Sequence, residues 1–215
     1  MGTNWVAPDI TVEQYDDSRR LEVFHSRTKQ WILAHAIKVS NDKDGGIPSL
    51  IIATSVFEPI GAIRLSDKGN RERRFMAGFG YVFPKWSGIS KLMYNNLRGG
   101  LFHEGFIARG LLITDLEEPI VQQNETIQVD PKRFVQAVSE RFDEFCNAIK
   151  NNEDDLQSKF CAYWKPQAEG YNYSQGERKP VIDFTTAVST GAVDTYYRSA
   201  AMPPNTTINP RTKSR

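Results

Sequence analysis

Hydrophobic residues recur every three or four positions in several long stretches of the chain, a spacing typical of amphipathic helices. The first stretch covers residues 11–40. Its apolar positions are Leu21, Phe24, Trp31, Ala34 and Ile37. A group of turn-forming residues at 41–46 is predicted to end this helix. The second stretch starts at Pro48 and is apolar on nearly all sides as far as Ile63, so we expect a central helix, kinked at Pro59.

Two further long helices and one short helix follow. The third is predicted to begin at a Ser87 cap and to end near Gly105. Asp130 and Pro131 are a strong start for the fourth, because aspartate accepts N–H bonds and proline has no N–H to leave unpaired. A shorter fifth helix is predicted around 156–164. The pattern therefore indicates a mainly α fold, an antiparallel four-to-five-helix bundle.

A small β element is predicted between the third and fourth helices. Residues 111–114 and 126–129 are short β-prone runs separated by polar residues and Pro119. Two such runs close together in the sequence are typical of a hairpin. We therefore expect a small β-hairpin within 110–129.

Residues 64–86 break the helical spacing and combine positive charge with aromatic rings. The arginine cluster in this segment is Arg71, Arg73 and Arg74. The spacing predicts an ordered excursion from the bundle. Its arginines can hold phosphates while Phe75 or Tyr81 stacks on bases, as in proteins that bind single-stranded RNA. They can equally pair with the acidic stretch 115–130, which contains no lysine or arginine.

The character of the sequence changes after Pro166. Residues 166–215 are rich in small and polar residues and have no sustained period, and the last dozen residues read as a flexible basic end. Tyrosines and Phe184 in the middle of this segment predict that it packs back on the bundle. We therefore expect a helical domain at 1–165, followed by an irregular C-terminal extension.

Composition excludes several classes of protein. The 215 residues carry 27 Lys and Arg against 26 Asp and Glu, so attraction to nucleic acid must come from a local patch. Two cysteines and three scattered histidines provide no zinc-ligand spacing and no disulfide scaffold, and neither a metal nor a cofactor is predicted. No apolar run reaches the roughly 20 residues that span a bilayer. We expect a cytoplasmic protein with no membrane partner.

The third predicted helix carries the most distinctive motif. Arg98 and His103 are separated by four residues within Leu-Arg-Gly-Gly-Leu-Phe-His-Glu-Gly, late on a helix of a helical domain. This motif resembles the Arg-x4-to-6-His motif of the HEPN superfamily, and its wording is similar to that of HEPN-like prokaryotic proteins. The likeness covers roughly residues 11–164, but it explains neither the segment 64–86 nor the residues beyond 166.

The resemblance implies a bundle that forms a homodimer through its motif helices, and a metal-independent endoribonuclease of the toxin or defence type. His103 would move a proton at the ribose 2′-hydroxyl or leaving oxygen, and Arg98 would stabilise the phosphate. Further expected phosphate or RNA contacts are Asn95, Asn96 and Glu104, together with Arg71, Arg73 and Arg74. An antitoxin-like protein is a further partner implied by such a role.

Helix geometry sets a condition on this pair. Five α-helical steps turn about 500°, which leaves Arg98 and His103 roughly 140° apart around the axis. A working pair therefore requires a distorted helix, which Gly99 and Gly100 permit, or groups from a second protomer.

Other interpretations of the motif remain open. Arg98 can be an ion-pair partner of Glu104 or of an acid on the facing helix, and His103 can cap the helix C-terminus. The sequence is thus consistent with an RNA-cleaving enzyme and with a non-catalytic nucleotide-, RNA- or protein-binding module of the same fold.

Overall fold

The structure is a computed structural model that describes residues 5–11, 15–66, 69–104 and 111–169. Within these ranges it describes all side chains except those of residues 5, 6, 17, 101–104 and 165–169. All described residues belong to one unit, Met1–Glu169. The predicted packing of the C-terminal extension and its flexible basic end lie outside the described residues.

The described chain is mainly helical, as predicted, and carries a small three-stranded sheet where a hairpin was expected. The α-helices are α1 (Arg20–Ser26), α2 (Ala34–Ser40), α3 (Gly46–Thr54), α4 (Phe57–Leu65), α5 (Arg71–Val82), α6 (Ser90–Met93), α7 (Pro131–Lys150) and α8 (Leu156–Glu169). Two π-helices, Arg27–Leu33 and Tyr94–Glu104, continue α1 and α6. We call them the N-terminal π-helix and the motif π-helix. The strands are β1 (Trp5–Ala7), β2 (Ile10–Thr11), β3 (Leu111–Ile113), β4 (Ile120–Gln123) and β5 (Thr126–Val129).

The N-terminal π-helix changes which residues of the first helical stretch face the core. Trp31 and Ala34, predicted to be on the apolar face, are exposed, and the buried positions are instead Thr28, Leu33 and Ala36. The step from Thr28 to Leu33 is five residues, which matches the i→i+5 bonding of a π-helix and not the period of an α-helix. The wider turn therefore shifts the buried face by one residue after position 28.

The central apolar stretch forms two helices, α3 and α4. The chain breaks at Ser55–Val56, and Pro59 lies in the first turn of α4, where its missing N–H is tolerated. Residues 46–65 are long and apolar enough to cross a membrane, but 56% of the apolar window is buried inside the protein, as in a core helix. This feature is weak support for a membrane span.

The prediction that residues 64–86 form an excursion from the bundle is wrong. Most of it is α5, which packs closely against α4. A Cβ at Gly61 would lie 1.7 Å from the Arg74 carbonyl oxygen, and a Cβ at Gly78 would lie 2.0 Å from the Phe57 carbonyl oxygen. Glycine is therefore required at both positions for space, because backbone touches backbone in both directions across the helix pair.

Aromatic side chains fill the core beside this crossing. Phe57 is fully buried, and its ring centroid lies 5.1 to 6.3 Å from those of four other phenylalanines. These are Phe75, Phe79, Phe83 and Phe134. Edge-to-face packing of this kind adds to the stabilisation from apolar burial. Phe75, Phe79 and Phe83, which lie in the segment 64–86, are thus core residues.

The sheet differs from the predicted hairpin in its pairing. β3 and β5, predicted to be hairpin partners, lie parallel, with Leu111 opposite Ile127. The hairpin is formed by β4 and β5, joined at Asn124 and Glu125, and the strand order is β3-β5-β4. β4 was absent from the prediction because its second half, Gln122 and Gln123, is polar and exposed.

The start of the fourth predicted helix is confirmed. One carboxylate oxygen of Asp130 accepts a hydrogen bond from the Arg133 backbone N–H at 2.8 Å, and the other accepts from the Leu116 N–H at 2.9 Å. Pro131 occupies the first turn of α7. Asp130 therefore caps α7 and fixes the loop after β3 to its first turn. The predicted Ser87 cap is wrong, because the third helical segment starts as a 3₁₀ helix at Pro84.

Candidate functional site

The motif segment is a π-helix over its whole length, Tyr94–Glu104. In a π-helix each N–H bonds to the carbonyl five residues earlier, so residues i and i+5 lie on successive turns. Positions 98 and 103 are such a pair. The backbone therefore has the distortion that the five-residue spacing requires. The side chains of His103 and Glu104 lie outside the described part of the structure.

Arg98 is held by an acid on another helix. Its Nε donates a hydrogen bond to Glu58 Oε1 at 2.9 Å, and the two side chains are 24% and 21% exposed. Glu58 lies in the first turn of α4, where the helix dipole also favours a negative charge. An acid on a facing helix was one of the two partners expected for Arg98. This partly buried pair fixes the plane of the guanidinium.

Glu58 was not among the predicted site residues. The signal available in the sequence is its isolation, because it is the only charged residue between Gly45 and Arg64. A single acid within a central apolar helix is seldom buried without a partner. The position of that partner, 40 residues further along the chain, depends on how the helices pack and could not be read from the pattern.

Tyr163 on α8 lies within electrostatic reach of the same pair. Burial raises the pKa of its hydroxyl, the positive charge of Arg74 lowers it, and the negative charge of Glu58 raises it again. The net direction is upward, so Tyr163 remains protonated at neutral pH. The charges of Arg74 and Glu58 are thus close enough to Tyr163 to act on its hydroxyl.

The two asparagines of the motif differ in placement. Asn95 is exposed, whereas Asn96 is 5% exposed and its Nδ2 donates to the Leu92 carbonyl oxygen at 3.0 Å. Asn96 Oδ1 is buried without a hydrogen-bond partner among the described residues. Asn95 thus lies on the surface, while Asn96 lies inside, against the backbone of its own helix.

The arginine cluster lies in the first turn of α5, which Asn70 caps through a hydrogen bond from the Arg73 N–H at 2.9 Å. Arg71 and Arg73 are exposed, and Arg74 is partly buried. The cluster is thus divided between two surface side chains and one that is partly covered.

The two aromatic side chains expected to stack on bases are not positioned to do so. Phe75 is fully buried in the core. Tyr81 is only partly exposed, and its ring lies near two guanidinium groups, with Arg64 at 4.7 Å and Arg141 at 5.1 Å from its centroid. The predicted stacking platform is therefore not formed by these two side chains.

The predicted pairing of basic 64–86 with acidic 115–130 is found at one described contact, an exposed ion pair of 3.5 Å between Lys85 and Glu118. Glu117 pairs instead with Arg133 of α7, and Glu72 pairs with Lys91 of α6, outside the basic segment. These two acids thus pair with residues of neighbouring helices.

The described residues contain no group of three or more His, Cys, Asp or Glu side chains that could hold a metal ion. Burial raises the pKa of Cys146 to about 12, so this thiol stays protonated and unreactive at neutral pH. Comparison with known proteins gives no match to a family model, a curated protein or a solved structure.

Proposed function

We propose that this chain is a HEPN-like, metal-independent endoribonuclease in which Arg98 and His103 act on one phosphodiester. The observation that carries the proposal is the π-helix across the motif, since its i→i+5 bonding places the backbones of these two residues one turn apart. An ordinary α-helix would leave them on different faces.

The proposed reaction needs only the groups of the motif and of RNA. The 2′-oxygen attacks phosphorus while its proton is taken up, the bond from phosphorus to the 5′-oxygen breaks, and that oxygen receives a proton. His103 serves this proton transfer, and Arg98, held in plane by Glu58, stabilises the charge that grows on the phosphate. The products are a 2′,3′-cyclic phosphate and a 5′-hydroxyl. Arg71, Arg73 and Asn95 contact flanking phosphates from the surface, and Glu104 lies beside the pair in sequence.

The family resemblance adds an assembly to this proposal. An antiparallel HEPN bundle pairs through its motif helices, so two copies would bring two Arg98–His103 pairs together. We propose a cytoplasmic homodimer of the toxin or defence type that an antitoxin-like protein would restrain. Sedimentation at micromolar concentration should give a dimer, and a monomer throughout would contradict this assembly.

A non-catalytic module of the same fold is the second proposal, and the Arg98–Glu58 pair favours it. Glu58 already neutralises the charge that a phosphate would use, and three quarters of the Arg98 side chain is covered. In such a module the pair stabilises the packing of the motif π-helix on α4, and RNA, nucleotides or a protein partner bind elsewhere on the surface.

One set of measurements separates the two proposals. Purified protein should cleave RNA and leave DNA of the same sequence intact, because only RNA has the attacking hydroxyl, and cleavage should persist in chelator. The variants His103→Ala and Arg98→Ala should each lose about 10²–10⁴-fold in rate. His35→Ala, which changes an exposed histidine on α2, is the matched control and should keep full activity.

Glu58→Gln sharpens the comparison. If Glu58 orients Arg98 for catalysis, this variant should lower kcat with little change in KM, while circular dichroism remains helical. Cleavage that survives both Arg98→Ala and His103→Ala, or that disappears with chelator, would refute the catalytic proposal. If the wild type and every variant bind RNA but none cleaves it, the result would support the non-catalytic module.

A further inference from the structure

Four polar side chains meet where α1 and the N-terminal π-helix pack on α7, far from the motif in the sequence. Lys29 Nζ donates to Asp143 Oδ2 at 2.7 Å and to Ser139 Oγ at 2.6 Å. The other oxygen of Asp143 lies 2.7 Å from His25 Nε2. One carboxylate therefore joins an ammonium group and an imidazole. None of these four residues belongs to the proposed ribonuclease site.

The hydrogen bond to Asp143 determines which nitrogen of His25 is basic. Hydrogen bonds from Lys29 and His25 outweigh the effect of burial and lower the pKa of Asp143, so this carboxylate is ionised at neutral pH and only accepts. Neutral His25 must then carry its hydrogen on Nε2, which leaves Nδ1 as the proton acceptor. The ring lies parallel to that of Phe142, with an interplanar angle of 3°, which restricts its rotation. The imidazole is thus oriented by a carboxylate and by an aromatic neighbour.

His25 opens onto a cleft of about 420 Å³ between the first helical stretch and the β1–β2 turn. Its side chain is 42% exposed, and Ser26, Lys29 and Gln30 line the same cleft. This volume is within the range of small-molecule pockets. If the four groups around Asp143 served only to join two helices, no cleft would be needed beside them.

The charge around the cleft does not favour anionic ligands. The described charged residues that line it balance, Asp9 and Glu22 against Arg19 and Lys29. With no excess of positive charge in this lining, phosphates and carboxylates gain no net electrostatic attraction. An uncharged ligand of small-molecule size fits the volume and the charge better.

We propose that this cleft is a second proton-transfer site in which His25 acts as a general base toward water and an uncharged carboxylic ester. A water proton moves to His25 Nδ1 while the water oxygen bonds to the ester carbonyl carbon. The bond from that carbon to the alkoxide oxygen then breaks, and the departing oxygen takes the proton from Nδ1. Lys29 supplies a positive charge beside the transient oxyanion, and Asp143 stabilises the imidazolium.

The test uses p-nitrophenyl acetate as the uncharged ester and follows release of p-nitrophenolate. His25→Gln should lower the rate above the buffer background at least about tenfold, and Asp143→Asn should lower it by a smaller factor. His35→Gln is the matched control, since His35 is an exposed histidine on the same helical stretch. Equal rates in the His25 and His35 variants would overturn the proposal.

A second measurement uses the unaltered chain and does not depend on a variant that folds. Diethyl pyrocarbonate modifies the unprotonated nitrogen of imidazole, and mass spectrometry reports the rate for each histidine. Exposure alone predicts that His35 reacts faster than the half-exposed His25. If Asp143 activates His25, then His25 should react faster than His35. Faster reaction at His35 would show that the four groups are a structural clamp only.

Discussion

In the α4–α5 pair, two regular helices lie so close that backbone touches backbone at Gly61 and Gly78. The two π-helices have a wider turn and are held by side chains from neighbouring helices. Lys29 of the N-terminal π-helix bonds to α7, and Arg98 of the motif π-helix bonds to α4. Apolar packing holds α4 against α5, whereas an ion pair holds each π-helix to a neighbouring helix.

This difference indicates where stability and chemistry lie in the molecule. The α4–α5 crossing and its phenylalanines bury large apolar surfaces, which dominate the free energy of folding. Two partly buried ion pairs, Lys29–Asp143 and Arg98–Glu58, by contrast hold the π-helices to their neighbours. Substitutions in the two regions should therefore have unequal effects on stability.

The largest effect is expected at the close crossing. Gly78→Ala places a methyl group 2.0 Å from the Phe57 carbonyl oxygen, so α4 and α5 must move apart. We expect a loss of about 3 kcal/mol in unfolding free energy, or roughly 6–12 °C in Tm. Gly88→Ala is the matched control, because nothing lies within 4 Å of its added Cβ. Thermal unfolding that gave both variants the same Tm would show that the crossing is not tight.

A smaller effect is expected for the Arg98–Glu58 pair. Glu58→Gln removes the negative charge opposite the partly buried Arg98 guanidinium, so this variant should cost about 1–2 kcal/mol in unfolding free energy. A double-mutant cycle with Arg98→Gln, measured by urea unfolding, should give a coupling energy of about 1 kcal/mol. Additive single effects would mean that the pair contributes nothing to stability.

A still smaller effect is expected for Asp143 and depends on pH. Because the folded protein lowers the pKa of Asp143 from 3.8, its ionised form stabilises the fold at neutral pH, and this contribution is lost as the pH falls below about 4. Its side chain is 42% exposed, so solvent screening keeps the contribution below about 1 kcal/mol. The stability difference between the wild type and Asp143→Asn should therefore shrink between pH 5 and 3 in urea titrations, to within roughly 0.5 kcal/mol.

The smallest effect is expected on the outer face of the N-terminal π-helix. Trp31 is 43% exposed, and its ring lies 5.6 Å from the guanidinium carbon of Arg27. Trp31→Ala should change unfolding free energy by no more than about 0.5 kcal/mol, as surface substitutions usually do. A loss comparable to that of Gly78→Ala would mean that this face is packed and not open.

The sequence predicted those parts of the fold whose signals are local. Asp130 and Pro131 define the start of α7 by themselves, and the turn at 41–46 ends α2 where expected. The sequence pattern did not predict α5, because it contains Gly78, which weakens a helix in isolation. This glycine is required there because the backbone of α4 lies against it. The parallel pairing of β3 with β5 depends on tertiary packing, which local β-propensity does not encode.

The candidate site could be predicted only in part for the same reason. The spacing of Arg98 and His103 set a condition for a working pair, either a distorted helix or groups from a second protomer, and the segment is a π-helix. The pairing of Arg98 with Glu58 requires knowing that α4 faces the motif. The cluster around His25 joins residues more than 100 positions apart, and no local pattern brings them together.

The N-terminal π-helix also has a consequence for the length of the chain. Removing one exposed residue between Thr28 and Leu33, such as Gln30, would leave these two buried positions four apart, which is the spacing of an α-helix. Both buried faces would then remain in contact with the core. In a regular helix the same deletion would rotate every later residue by about 100°. The π-helix is thus a point at which a homologous chain can be one residue shorter and still bury the same side chains.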